Sequence, residues 1–342
     1  MTARVTYLET GSQNPYYNLA FEEYVLANRR EGDCLLLWQN ARAVVIGQNQ
    51  NAEEEIDRAF VEEHGIQVVR RTTGGGAVYH DLGNLNYSFI TDLGEAEKLT
   101  MTRFTLPVVR ALRGLGLQAE ASGRNDILVE GRKVSGTAQR IMNGRILHHG
   151  TLLFDADTRM AAGALRADPE KFRSKSAKSV RSRIGNIRDF LREDMELPDF
   201  WAYLKSALAG EGFVSGALLP EELAAVEALK RSKYDTWEWN FGRSPQYDMI
   251  NKRRWEGGSL EVRLSVKGGL ITAIDFRGDF LSRCPLTPLT EALRGVSFRR
   301  EDVAGVLDRH DLGEFFGGIT EDEILETMFH LREGEGGDPA GI

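Results

Sequence analysis

The sequence predicts an α/β (α+β) chain built as one large domain followed by a smaller one. Three observations carry this. Helically spaced segments alternate with strand-sized apolar runs over residues 14–117; hairpin signals follow over residues 126–155; and a fresh two-residue alternation opens near Ser259. With 342 residues, 42% hydrophobic and 27% charged, the chain has the apolar material for a substantial core.

The first helix is expected over residues 14–26, where Asn14 caps, Pro15 opens the first turn and apolar residues recur at helical spacing. Residues 34–38 and 43–46 are short apolar runs around a polar turn and read as paired strands of a buried sheet. Helical, acid-rich character returns over 53–64. A further helix is expected over 98–117, with Phe104, Val108, Leu112 and Leu115 on one face and Pro107 at an end or a kink. The hairpins turn at Glu130-Gly131 and Asn143-Gly144, and Asn-Gly is the stronger signal because it accepts the positive φ of a primed turn. Helices over 199–209 and 220–231 close the first domain. From Ser259, apolar Leu260, Val262, Leu264 and Val266 alternate with Glu261, Arg263 and Ser265, as in a half-buried hairpin. Thr320 to Glu323 form a capping box. The expected division is residues 1–248, then 255–332, with a frayed Gly- and acid-rich tail over 333–342.

Composition excludes several classes of function. A net charge of −8 argues against general nucleic-acid binding. No signal segment or membrane-length apolar run is read, and the two cysteines, Cys34 and Cys284, lack metal or disulfide spacing, so a reducing cytoplasm is expected.

Two segments carry chemistry. In Val68 to Phe89, the run Arg70-Arg71-Thr72-Thr73-Gly74-Gly75-Gly76 lies between strand-like stretches, where glycine amides and fixed arginine charge suit an anionic ligand. A glycine-rich connection with arginines paired to surface acids would read the same way, and neither a P-loop nor a dinucleotide fingerprint is present. In Ser122 to Arg140, Lys133 follows the first hairpin turn near Gly136 and could reach a phosphate or carbonyl oxygen, or be a solvated strand lysine. Asp126 could hold Mg²⁺ through a carboxylate oxygen, or cap a turn.

Together these segments resemble the lipoate–protein ligase A family. The resemblance runs in order through Asn14 to Ala20, Glu22-Glu23, Trp38 to Asn40, Val45 to Asn51, both segments above, His148 to Phe154 and Lys178 to Ile184. It implies a catalytic domain of mixed sheets and flanking helices shared with biotin ligases, followed by a small α+β accessory domain. It further implies ATP contacts at Arg71, Gly75, Gly76, Ala77, Val78, Tyr79 and Lys133, lipoate contacts at Arg71, His80 and Lys133, and a catalytic role for Lys133. The implied reaction consumes ATP with Mg²⁺: lipoate displaces pyrophosphate to form lipoyl-AMP, and an acceptor lysine then expels AMP, with no covalent enzyme intermediate. The implied acceptors are lipoyl domains of 2-oxoacid dehydrogenase acyltransferase subunits or a glycine cleavage H protein. A monomer with no nucleic-acid or membrane partner is expected.

His80, His148 and His149 lack a third ligand at zinc-like spacing and read as hydrogen-bonded histidines. Residues 166–188 are locally basic, suiting a solvated loop, a pyrophosphate cover or an acidic acceptor, and Trp237, Trp239 and Trp255 read as packing residues. The alternatives are a cysteine-dependent octanoyltransferase, which needs a thiolate that neither cysteine's context supplies, a biotin ligase, and a non-catalytic binding protein with a ligase-like fold.

Overall fold

Leu35 and Leu37 point from one short strand into one apolar cluster, while Cys34, Leu36 and Trp38 point into another. A strand buried on both faces must lie inside a sheet covered on both sides, and the computed structural model, which describes residues 5–93, 101–123, 125–166, 184–210, 212–241, 249–267 and 269–329, shows that arrangement. The strands in chain order are β1 (Thr6–Glu9), β2 (Cys34–Trp38), β3 (Ala43–Ile46), β4 (Gln67–Arg70), β5 (Val78–His80), β6 (Asn84–Asp92), β7 (Ala119–Ser122), β8 (Asp126–Val129), β9 (Arg132–Met142), β10 (Arg145–Leu153), β11 (Val214–Ser215), β12 (Met249–Trp255), β13 (Gly258–Lys267) and β14 (Leu270–Gly278). Eight of them form one mixed sheet in the order β11-β1-β2-β6-β10-β9-β8-β7. Helices Met101–Gly114 and Leu197–Ala209 pack on one face through Val108, Leu112, Phe200 and Leu204; helix Pro15–Asn28 packs on the other through Leu19, Phe21 and Val25.

A second sheet, β4-β3-β5, sets β3 parallel to β4 and antiparallel to β5. The expected pairing of residues 34–38 with 43–46 is therefore wrong: β2 pairs with β1 and β6, while β3 joins the small sheet. Both runs are wholly buried, and burial alone does not choose a partner strand. Two other expectations are refined. The helix Met101–Gly114 runs through Pro107 rather than ending at it, although the ring denies the Arg103 carbonyl its usual donor. Residues 53–64 form two short helices, Ala52–Glu55 and Arg58–Glu63, the second capped by Asp57.

Both predicted tight turns form, with Glu130 and Gly131 at φ 51° and 76° and Asn143 and Gly144 at 52° and 74°. The C-terminal sheet β12-β13-β14 is antiparallel and has its own core, with Leu260, Val262, Leu264, Phe276, Phe316 and Ile324 inside. Its central strand β13 is not half-buried: Glu261 and Arg263 are enclosed as well, and they pair with each other, which lowers the cost of burying both charges. The capping box forms, with Thr320 N–H on Glu323 Oε2 at 2.8 Å, and opens helix Glu321–Phe329. The basic run 167–183 and the tail 330–342 lie outside the described residues. Among the described residues, no helix is long and apolar enough to cross a membrane.

Candidate active site

Arg70 and Arg71 leave the end of β4 in different directions. Arg70 turns inward and donates to the carbonyls of Gly47 (2.8 Å), Gln50 (2.6 Å), Trp239 (2.9 Å) and Asn240 (2.9 Å). Burial lowers its pKa to about 9, and each of its three nitrogens donates to main-chain carbonyls, so Arg70 ties helix Trp237–Asn240 to the loops. Arg71 folds back over the triple glycine, donating to Gly74 O at 2.7 Å, Gly76 O at 2.8 Å and Val45 O at 3.0 Å. Gly75 sits at φ +89°, and a Cβ on neighbouring Gly47 would lie 2.0 Å from its carbonyl oxygen, so this crossing requires glycine. Arg71 thus shapes the loop by fixing where its carbonyls point.

The opposite wall comes from the first hairpin. The β8–β9 register slips between Ile127 and Leu128, a bulge that pairs Leu128 with Lys133 and Ile127 with Ser135. Bulges re-aim side chains, and here Lys133 Nζ comes to 2.7 Å from Asp126 Oδ1, with both side chains partly exposed. Gly136 leaves room for the lysine: a Cβ there would stand 3.3 Å from Lys133 Cε and Nζ.

Between these walls lies a cavity of about 660 Å³. Arg71, Gly75, Gly76, Ala77, Val78, His80, Asp126 and Lys133 all line it, so eight of the nine singled-out residues are brought together from two separate stretches of chain. Tyr79 is the exception. Alternation along β5 sends its ring into the cluster of Val44, Ile46 and Val68, while Val78 and His80 face the cavity. Leu19, Trp38 and Val45 add an apolar lining.

The paired histidines separate for the same reason. His148 is turned into the core against Phe104, at 4.9 Å between ring centroids, whereas His149 lines the cavity, its Nδ1 2.9 Å from Glu22 Oε1 and its Nε2 2.8 Å from Thr73 Oγ1. Burial pushes the pKa of both His80 and His148 down to about 3, with neighbouring positive charge adding to the effect. Among the described residues, no group of three His, Cys, Asp or Glu side chains could hold a metal.

Arg254 and Asp279, from the C-terminal sheet and the segment after it, also line the cavity, as does Leu281. Sequence reasoning missed all three, because they lie in the accessory region with no motif around them. The same segment reaches the glycine loop through main chain: Gly75 N–H donates to Phe280 O at 3.0 Å and Gly74 N–H to Ser282 O at 3.3 Å.

The Lipoyl protein ligase A/B catalytic domain matches residues 14–209, and the Bacterial lipoate protein ligase C-terminus matches residues 244–328. Lipoate-protein ligase LplJ of Bacillus subtilis (strain 168) is 40% identical over 321 residues, 92% of this chain and 97% of its own length. The chain belongs to the lipoate–protein ligase family. Among solved structures, the ligase is similar to P. falciparum LipL1 in complex with lipoate at a TM-score of 0.74 and 24% identity, covering 90% of this chain and 95% of that one, which speaks to the fold. A lipoate-protein ligase A bound with ATP matches at 0.59 and 30% identity over 71% of this chain and 99% of that one. The bi-partite lipoate protein ligase studied with its E2 lipoyl domain from Thermoplasma acidophilum matches at 0.62 and 33% identity, over 73% and 100%.

The expected activity, an ATP-dependent ligase acting on lipoate, is borne out by these matches, and the transferase and binding-protein alternatives are not favoured. The cysteines agree. Cys34 is buried within the large sheet with its thiol pKa raised by desolvation, Cys284 is pushed up to about 11 by burial, and neither lines the cavity.

Proposed function

We propose that the cavity binds lipoate and ATP side by side, with the acyl chain against Leu19, Trp38 and Val45 and the carboxylate directed to Lys133. The observation that carries this is the facing of Lys133 and the Arg71-shaped glycine loop across one cavity. Lys133 would hold a carboxylate oxygen against the α-phosphorus and neutralise charge as the acyl–phosphate bond forms and the bond to pyrophosphate breaks. In the second half, the neutral amine of an acceptor lysine attacks the acyl carbon; AMP leaves and the amine loses its proton. Arg71 acts here by orienting the loop, Gly75 to Val78 contact the nucleotide, and Tyr79 contributes main chain alone.

Asp126 is in salt bridge with Lys133 and belongs to no group of three metal-ligating side chains among the described residues, which suits Mg²⁺ arriving on ATP phosphates better than a protein-held ion. Its second oxygen would meet that ion. We assign the catalytic unit to residues up to 241 and the accessory unit to residues from 249, since among the described residues β12 pairs only with β13. The acceptor is a lipoyl domain, of an acyltransferase subunit or an H protein, and the ligase works as a monomer in the cytoplasm. Incubation with ATP, Mg²⁺, lipoate and an apo lipoyl domain should add one lipoyl group to the acceptor by mass spectrometry. An unmodified acceptor, with no lipoate-dependent exchange of pyrophosphate into ATP, would refute the reading. Replacing Cys34 and Cys284 together by Ser should leave transfer intact, whereas a thioester trapped on either sulfur would point to the transferase.

A further inference from the structure

Behind His80 lies a chain of amides whose polarity can be worked out one hydrogen bond at a time. The Asn18 side-chain nitrogen sits 3.0 Å from the Ser12 carbonyl oxygen and 2.9 Å from that of Gln39. Carbonyl oxygens only accept, so this end of Asn18 must be its NH₂ group. The same nitrogen lies 2.8 Å from one end of the Asn40 amide; its two hydrogens are shared among three acceptors, and two NH₂ groups would repel at that distance, so this end is Oδ1. Asn40 then presents its own NH₂ to His80 Nδ1, at 3.0 Å. A nitrogen that accepts there carries no proton, so the ring proton is on Nε2.

Asn18, Asn40 and His80 are all buried, and among the described residues His80 Nε2 has no partner. His80 lines the cavity. We infer that Asn18 and Asn40 are positioning residues that hold His80 as the neutral Nε2–H form, so that it offers the bound acyl ligand a hydrogen-bond donor, without positive charge and without an acceptor.

This rests on the ligase reading for the identity of the ligand, and on hydrogen-bond bookkeeping for everything else. The surroundings agree. Arg71 and His149 are the charged and titratable groups whose fields reach His80, and both oppose a positive charge on it, as does burial. Glu22, from helix Pro15–Asn28, is engaged with His149 at 2.9 Å. Protonating Nδ1 would also set its N–H against the Asn40 NH₂, so the donor stays neutral where an ordinary histidine titrates. A buried donor with no alternative partner costs free energy until an acceptor arrives, which favours ligands carrying an acceptor at this place and disfavours cationic ones.

The test is nitrogen-15 NMR of the histidine-labelled full chain, with the His80 signals assigned by their loss in His80→Gln. The wild-type ring should show a protonated Nε2 and an unprotonated Nδ1, unchanged from about pH 5.5 to about 8.5, and lipoate should shift the Nε2–H signal. Asn40→Asp replaces the donor by an acceptor. It should draw a proton onto Nδ1, bring a His80 titration into that range, and raise the KM for lipoate by about tenfold with a smaller change in kcat. A wild-type His80 that titrates in the range, or carries its proton on Nδ1, would overturn the inference whether or not the variant folds. So would a correct tautomer that ignores lipoate in protein that exchanges pyrophosphate. Absence of lipoate-dependent exchange in the wild type would count against the ligase reading instead; the wild-type ring nitrogens still decide the tautomer.

Discussion

At the scale of single residues, Lys133 is where charge matters to the reacting state more than to the fold. Its side chain is partly exposed and its ammonium pairs with Asp126 on the hairpin wall of the cavity. Lys133→Ala should slow lipoyl-AMP formation by on the order of a hundredfold to a thousandfold, the cost of losing one preorganised electrostatic donor, while the thermal midpoint stays nearly constant. Lys133→Arg should recover only part, because a planar guanidinium directs its donors differently; wild-type pyrophosphate exchange in Lys133→Ala would remove the residue from the mechanism. The buried histidines act on stability. Held near pKa 3 in the fold, His80 and His148 stay neutral as the pH falls, whereas in the unfolded chain they take up protons near their ordinary value of about 6.5. The unfolded state therefore binds more protons below that pH, and stability is lost as pH falls toward 3, by up to about 1.4 kcal/mol per pH unit for each histidine. Urea titrations at neutral pH and about one unit below the ordinary histidine value should show the midpoint dropping; His148→Leu should flatten that slope.

At the scale of elements, the bulge between β8 and β9 places the lysine, and Gly136 keeps its path open. Gly136→Ala introduces a methyl 3.3 Å from Lys133 Cε and Nζ at a position without positive φ, so the strand should survive and the ammonium should move. A displacement near 1 Å at a reacting group can cost about a hundredfold; single-turnover adenylation should register it while thermal unfolding barely changes. Much of this was legible in the sequence. Asn143-Gly144, Glu130-Gly131 and the Thr320 capping box announce themselves through local chemistry, and each forms. Pairing was not legible. Nothing local tells the run 43–46 to leave its neighbour at 34–38 for β4 and β5, or tells Arg70 from Arg71: adjacent arginines read alike, and only the packed loops decide which meets carbonyls behind the site and which frames the cavity. Tyr79 illustrates the same limit, since its motif was readable and its direction depended on the strand it joined.

At the scale of the whole molecule, the accessory segment after β14 closes one side of the cavity and occupies two amides of the glycine loop. Phosphate oxygens cannot use those amides while Phe280 and Ser282 hold them, so loading with lipoate and ATP should change the placement of the accessory unit, and small-angle scattering with and without both ligands should differ. Gly74→Ala offers a ligand-free version. A Cβ there would sit 2.5 Å from Ser282 N and 2.7 Å from Phe280 O, which the docked arrangement cannot admit, so the variant alone should scatter differently from the wild type. Identical curves in both experiments would mean that the two units move as one.

That joint is made largely of main chain. Besides the two glycine amides, Gly278 N–H donates to Asn49 O at 2.8 Å and Ile141 N–H to Arg283 O at 2.8 Å. Hydrogen bonds of this kind outlive the truncation of any side chain, so an alanine scan across the interface would pass over them almost silently. Their record in related sequences would be equally faint, since a carbonyl leaves no trace of which residue carries it. The means of hearing this joint is to edit the backbone itself, by an amide-to-ester exchange at Ile141 or Gly278, where removing a single N–H should loosen one unit from the other while every side chain stays as it is.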